Sequence, residues 1–172
     1  MKYAIFETRL GFFGLLSAEK AILRTSLPEK SYKTAETDLL VGLISAKEDK
    51  NLHLGLQNQI IEYYHGTRLS FDYPIEVNLD SLTDFSRKIL LACRKIPYGK
   101  TASYTEVSIM AGRPKSPRAA GNALANNPLP LIIPCHRVIK SDGSTGGFQK
   151  NKPGAVNLKT KMLQLEQQIS RG

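Results

Sequence analysis

Pro128, Pro130 and Pro134 fall within seven residues, and no other feature constrains this 172-residue chain as tightly. Each proline locks its own φ, removes a backbone donor and pushes the residue before it away from helical angles. The stretch "NNPLPLIIPCHRV" is therefore expected to travel as a stiff, extended strap after a helix. Its apolar residues 131–133 lead to an adjacent cysteine and histidine, Cys135 and His136. A free thiol, with a pKa of about 8.5, is only slightly ionised near neutrality, so nucleophilic use needs a base or a positive charge nearby. Neighbours on an extended chain point to opposite faces, so His136 would need a turn or a bridging water to reach the thiol. Taken alone, the dipeptide favours a structural cysteine.

Charge divides the chain. Residues 1–79 hold nine Lys/Arg against ten Asp/Glu, and residues 80–172 hold fifteen against five, so the second part carries the whole basic excess of +9. Solubility does not require such asymmetry, whereas binding a polyanion does; a solvated basic surface is the plain alternative. A domain boundary near residue 79 follows. Composition, 41% hydrophobic and 23% charged, is that of a globular protein with one full core or two small ones. No apolar run approaches the roughly 20 residues that span a bilayer, and charges come too early for a signal peptide. A cytoplasmic protein is expected, nuclear in a eukaryote. Two cysteines are too few for a disulfide framework or a cysteine-rich zinc site, and Cys93, inside the helix-like run "ILLACRK", reads as core filler.

The first part reads as an α/β unit. "KYAIFET", "GFFGLLS" and "KAILRTSL" are strands of a meander broken by tight turns. Helices are expected over 35–45, with Leu39, Leu40, Leu43 and Ile44 at helix spacing, and over 52–64, with Leu56, Ile60, Tyr63 and Tyr64 on one side. His53 and His65 read as surface or core residues, and no constellation here reads as a site. The second part is mainly helical. One helix, with Asp80 or Ser81 as N-cap, presents Phe85, Ile89, Leu90 and Ala92; another opens on the capping-box spacing Ser103-x-x-Glu106 and stops at Gly112. A third has Ser116 at its N-cap and Pro117 at its first position. The last two form a helix-turn-helix pattern, which on so basic a domain favours DNA binding. The second of the pair carries Arg118, then little beyond Ala119, Ala120, Gly121, Ala123 and Ala125. A bare helix suits close approach to a narrow groove, and it also suits tight packing against a core; spacing does not separate the two.

"RAAGNALANNP", "NPLPLIIP" and "PCHRV" together resemble the O6-alkylguanine-DNA alkyltransferases, also called methylated-DNA–protein-cysteine methyltransferases, over residues 80–169. The resemblance implies a ribonuclease-H-like N-terminal supporting domain over 1–79, a small antiparallel sheet with helices. It implies a mainly α domain over 80–172 that binds DNA and accepts the alkyl group. The implied activity is a suicide DNA repair, single-turnover, acting on O6-alkylguanine, with O4-alkylthymine as a further candidate substrate, in double-stranded DNA. The base is flipped out, as it must be when the target atom lies inside the stack, and Cys135 takes the alkyl group irreversibly. On the same likeness His136 deprotonates Cys135 through a water. Glu166 orients the histidine from a last helix with apolar Leu158, Met162, Leu165 and Ile169, and Asn127 is the hinge of the strap. Arg118 is a finger that fills the stack and Tyr104 lies beside the flipped nucleotide. Ser116, Ala119, Gly121 and Arg137 complete a sequence-independent minor-groove contact. Tyr104, Val138, Phe148 and Gln149 line the substrate pocket. Family members often carry tyrosine and a small residue where this chain has Phe148 and Gln149, so a hydroxyl is missing and a larger side chain stands in its place. The resemblance implies no cofactor, no membrane and a monomer; no cysteine precedes Cys93, so the zinc site of some members is not expected. Two rival readings are a lesion-binding protein of the alkyltransferase-like type, in which the acceptor cysteine is typically replaced, and a DNA-binding regulator with a structural Cys-His.

Overall fold

Apolar residues on both faces of the N-terminal strands demand a sheet covered on each side. The computed structural model describes residues 1–68 and 70–169, and the chain divides into two units, Met1–Leu79 and Asp80–Gly172. In the first, β1 (Lys2–Thr8), β2 (Gly11–Ala18) and β3 (Ala21–Thr25) form an antiparallel meander. Two short edges, β4 (Lys47–Glu48) and β5 (Glu76–Val77), pair parallel to β1 and β3, so the sheet is mixed rather than antiparallel throughout. The register Tyr3↔Leu16 puts Tyr3, Ile5 and Leu16 on one face, packed with Ala35 and Leu39 of α1 (Tyr32–Leu40). On the other face Phe13 meets Tyr64 of α2 (Leu54–His65), ring centroids 6.1 Å apart. Gly14 permits the α1 contact, since a Cβ there would stand 2.9 Å from Ile5 Cδ1 and 3.0 Å from Leu39 Cδ2.

α1 begins and ends earlier than the leucine spacing predicts. Ser31 Oγ accepts from Thr34 N at 3.2 Å and starts it, and the chain leaves the helix before Gly42, at φ 75°. A glycine free to take left-handed backbone wins over the apolar period, and Ile44 ends in solvent.

The second unit holds α3 (Asp84–Arg94), α4 (Tyr104–Met110), α5 (Pro117–Ala125) and α6 (Ala155–Ile169). A two-stranded parallel pair, β6 (Ala102–Ser103) and β7 (Val138–Ile139), ties α4 to the segment after the cysteine. Thr83, not Asp80 or Ser81, caps α3, accepting from Ser86 N at 3.2 Å. α4 has the full capping box: Ser103 N donates to Glu106 Oε2 at 2.6 Å and Glu106 N to Ser103 Oγ at 3.1 Å. Ser116 occupies the N-cap position of α5 without a side-chain cap bond. Along α5, Ala120, Ala123 and Leu124 are buried while Arg118 and Ala119 face solvent, so the small residues serve packing on one side and an open surface on the other.

The proline-rich segment turns where an extended strap was expected. Ile133 N donates to Leu129 O at 2.8 Å, Leu131 takes φ 74°, and Cys135–Arg137 form a single 3-10 turn. Prolines fix their own φ and disfavour helix before them, but Leu131 lies between two of them and is free to absorb a reversal. Among the described residues no helix is long and apolar enough to cross a membrane.

Candidate active site

Asn127, two residues past the end of α5, holds the cysteine turn in shape. Its Nδ2 donates to Ile133 O at 2.9 Å and to Cys135 Sγ at 3.2 Å, and its Oδ1 accepts from Leu129 N at 3.0 Å. Cys135 is 4% exposed. Burial pushes its thiol up, while the Asn127 amide, the charge of Lys159 and main-chain donors of Cys135 and His136 pull it back part of the way. The resting group is a protonated thiol inside a shell already arranged for a thiolate.

Behind it stands a buried imidazole–carboxylate pair. His136 is fully buried, and its Nε2 lies 2.7 Å from Glu166 Oε1. Because an ionised carboxylate only accepts, the ring proton sits on Nε2 and the lone pair on Nδ1. Burial keeps this imidazole neutral, against the pull of Glu166. Glu166 also receives Arg137 Nε at 2.9 Å, Arg137 Nη2 at 3.0 Å and Gly99 N at 3.0 Å. Burial alone would raise its pKa; the hydrogen bonds and charges of His136 and Arg137 overcome that and hold it at about 2. Arg137 is the permanent cation in this set, so the carboxylate stays ionised whether or not the histidine carries a proton.

That arrangement removes Arg137 from the DNA-facing residues that the sequence suggests. It is 8% exposed, donates to Ile96 O at 2.8 Å and lies 5.4 Å from the Tyr98 ring centroid. The 3-10 turn directs it inward, where Glu166 supplies the partner that a buried guanidinium requires.

Cys135 opens on a cavity of about 230 Å³ lined by Tyr104, Gly121, Leu124, Phe148 and Gln149, with Lys150 at its edge. Tyr104 begins α4, and its hydroxyl is 3.4 Å from Gly147 O. Burial raises its pKa, so it remains a hydroxyl donor. Gly146 makes room for it: φ is 68°, and a Cβ there would sit 3.0 Å from the Tyr104 hydroxyl. Val138, expected in the wall, is instead packed beneath it, fully buried, with its carbonyl accepting from Lys159. The parallel bridge of β7 to β6 turns that strand into the core.

Lys159 is the residue that sequence reading passed over. It is fully buried on α6, donates to Val138 O at 2.6 Å and Gly147 O at 3.3 Å, and lies 5.7 Å and 6.0 Å from the ring centroids of Phe148 and Tyr104. Burial lowers its pKa to about 8, and the thiols of Cys135 and Cys93, when ionised, act to raise it. The signal was its spacing. The buried face of α6 is Ala155, Lys159, Met162 and Glu166, whereas Leu158 and Leu165 are only half-buried; the side chain of Ile169 lies outside the described residues. A lysine and a glutamate at helix spacing on a core face mark a site rather than a solvated stripe.

Fold and site together define a two-unit protein that holds one cysteine, backed by a neutral histidine and an ionised glutamate, at the floor of a small cavity. The family model of the DNA-binding domain of 6-O-methylguanine DNA methyltransferases matches residues 84–168. A methylated-DNA–protein-cysteine methyltransferase of Methanothermobacter thermautotrophicus is 41% identical over 131 residues, covering 74% of this chain and 70% of the relative. The constitutive one of Bacillus subtilis is 32% identical over 164 residues, 95% of this chain and 94% of the relative. A solved structure of the Mycobacterium tuberculosis O6-methylguanine methyltransferase superposes with a TM-score of 0.79 at 30% identity, over 97% of this chain and 93% of that one. The same organism's protein in complex with DNA gives 0.82 at 28% identity, over 98% and 94%. The chain belongs to the methylated-DNA–protein-cysteine methyltransferase family.

Proposed function

We propose that this protein repairs DNA by moving the alkyl group from O6 of a damaged guanine to Sγ of its own Cys135. The observation that carries the reading is the buried pair His136–Glu166, 2.7 Å apart, directly behind a cysteine that opens on a cavity. The thiol proton passes through a water to Nδ1 of His136, and Glu166 stabilises the imidazolium. The thiolate then attacks the alkyl carbon in line. The C–S bond forms and the C–O6 bond breaks. Its electron pair remains on guanine, which takes one proton, so the proton lost by the thiol is balanced. The thioether has no route back, and each molecule acts once.

Lys159 has a part here that the family likeness did not supply. Both of its hydrogen-bond acceptors are main-chain carbonyls, so the negative charge that answers it appears when Cys135 ionises. The target atom lies inside the duplex, so the base must be extruded to enter the cavity. α4 and α5 are read as the helix-turn-helix. Exposed Arg118 fills the gap in the stack, Ala119 and half-buried Gly121 let the backbone approach a narrow groove, and Ser116 stands where a phosphate would lie. The first unit is read as a supporting domain of ribonuclease-H-like kind, on the strength of its mixed sheet with a helix on each face.

Incubation with duplex DNA containing O6-methylguanine, followed by the mass of the intact protein, tests the reading. A gain of one methyl, absent in Cys135→Ala, is expected. Tight binding to the lesion with no adduct would replace it with the lesion-binding alternative.

A further inference from the structure

Asn122 is out of place in the middle of α5. Along that helix it is the one polar side chain besides Arg118, and it is exposed among exposed Ala119 and half-buried Gly121 and Ala125. An asparagine amide competes for backbone groups and makes a poorer helix former than the alanines around it, a cost that no packing offsets at an exposed position. Its neighbour one turn on settles how the amide points. Asn126 Nδ2 donates to Asn122 O at 2.8 Å and lies 3.5 Å from Asn122 Oδ1. An amide nitrogen only donates, so the Asn122 atom that faces it is the oxygen, and Nδ2 is the outer end. Among the described residues that Nδ2 donates to nothing.

With Arg118 in the gap left by the extruded base, Asn122 follows four residues later on the same face, about 6 Å along the axis. Base pairs stack about 3.4 Å apart, so it stands within two pairs of the lesion. A short side chain on so smooth a surface reaches base edges only where the backbone itself approaches, in a narrow groove. There every pair offers acceptors, N3 of a purine and O2 of a pyrimidine, and a G·C pair adds the guanine N2 amino group, a donor. A donor amide is matched by A·T and T·A alike and opposed by G·C. We infer that Asn122 reads sequence: its side-chain amide donates to a minor-groove acceptor of a pair neighbouring the lesion, so that repair runs faster beside A·T than beside G·C. The inference rests on the repair reading above. Phosphate contacts still set affinity for any duplex; Asn122 acts only in the register that inserts Arg118.

The test compares wild type with Asn122→Ala on O6-methylguanine duplexes that differ only in the two pairs on each side of the lesion: A·T, T·A, G·C or inosine·C. Inosine lacks the N2 amino group, so inosine·C matches A·T in the minor groove and G·C in the major groove. Single-turnover transfer is measured at limiting DNA, and rates are compared as ratios within each protein. The stacking and pairing of the neighbours then affect both proteins equally, and any change in fold stability cancels. The ratio of A·T to G·C should be about three- to tenfold larger in wild type than in Asn122→Ala, the worth of one neutral hydrogen bond. T·A and inosine·C should share that advantage. Equal ratios in the two proteins would overturn the inference. So would an advantage of wild type that inosine·C does not share, which would place the reading in the major groove. Failure of the repair reading looks different, because the wild-type protein would then gain no methyl from any duplex.

Discussion

Around Cys135 the charge of each ionisable side chain is set by burial or by a named neighbour, and the chemistry follows from that balance. Lys159 answers the thiolate. Lys159→Met keeps the shape of the buried stem and removes the charge, so the single-turnover transfer rate at neutral pH should fall about ten- to a hundredfold. Tm should hold or rise, since a buried cation that meets carbonyls and ring faces, with no carboxylate paired to it among the described residues, is a burden on the fold. An unchanged rate would remove Lys159 from the site. Glu166 answers Arg137. Its folded pKa, about 2, lies below the ordinary 4.5, so the stability it contributes is present above about pH 4.5 and is lost as pH falls toward 2. The full contribution is about 3 kcal/mol. Glu166→Gln should therefore melt well below wild type at pH 7, with the gap closing as the buffer approaches pH 2; a constant gap would refute the assignment. Cys135, His136, Glu166 and Asn127 were legible through the family resemblance carried by the local motif, since spacing alone favoured a structural cysteine. Arg137 and Lys159 were not, for the same physical reason. A cation reveals its charge in sequence but not its partner, and the partner of Arg137 lies 29 residues away on another element.

Two elements set the pocket, and each was half readable. The prolines announced that residues 128–134 could not continue α5, yet the reversal depends on Leu131 accepting φ 74°, which no residue preference foretells for leucine. α5 was recognised as bare, but whether alanine marks a packed or an open face depends on what lies opposite. Ala120 and Ala123 face the core, and Ala119 beside Arg118 faces out. Arg118 stands one residue inside the start of α5 and is exposed there, a position from which its side chain can enter a duplex without disturbing the packing of the helix. Arg118→Ala should slow methyl transfer from duplex DNA about tenfold or more, because the vacancy in the stack is left unfilled at a cost of a few kcal/mol. Reaction with the free base O6-methylguanine, where nothing is extruded, should proceed at the wild-type rate. Equal loss on both substrates would assign Arg118 to the pocket instead.

At the scale of the molecule, the charge division that sequence alone displays acquires a surface. Residues 80–172 carry fifteen Lys/Arg against five Asp/Glu, but not all of that charge is available to a polyanion. Arg137 and Lys159 are buried, while Arg113, Lys115, Arg118, Lys140 and Lys150 are exposed. If four or five cations of this kind displace counterions from duplex DNA, log affinity falls linearly with log salt at a slope of about −4. Between 50 and 200 mM salt, affinity for undamaged duplex should then drop by about two to three orders of magnitude, whatever the sequence of the duplex. Fluorescence anisotropy over that range measures it. Lys115→Ala should reduce the slope by about one if Lys115 meets a phosphate. Methyl transfer from the free base involves no phosphate and should respond little to the same salt change. A flat affinity profile would mean that the basic excess is only a solvated face, and duplex recognition would then have to come from the contacts of α5 alone.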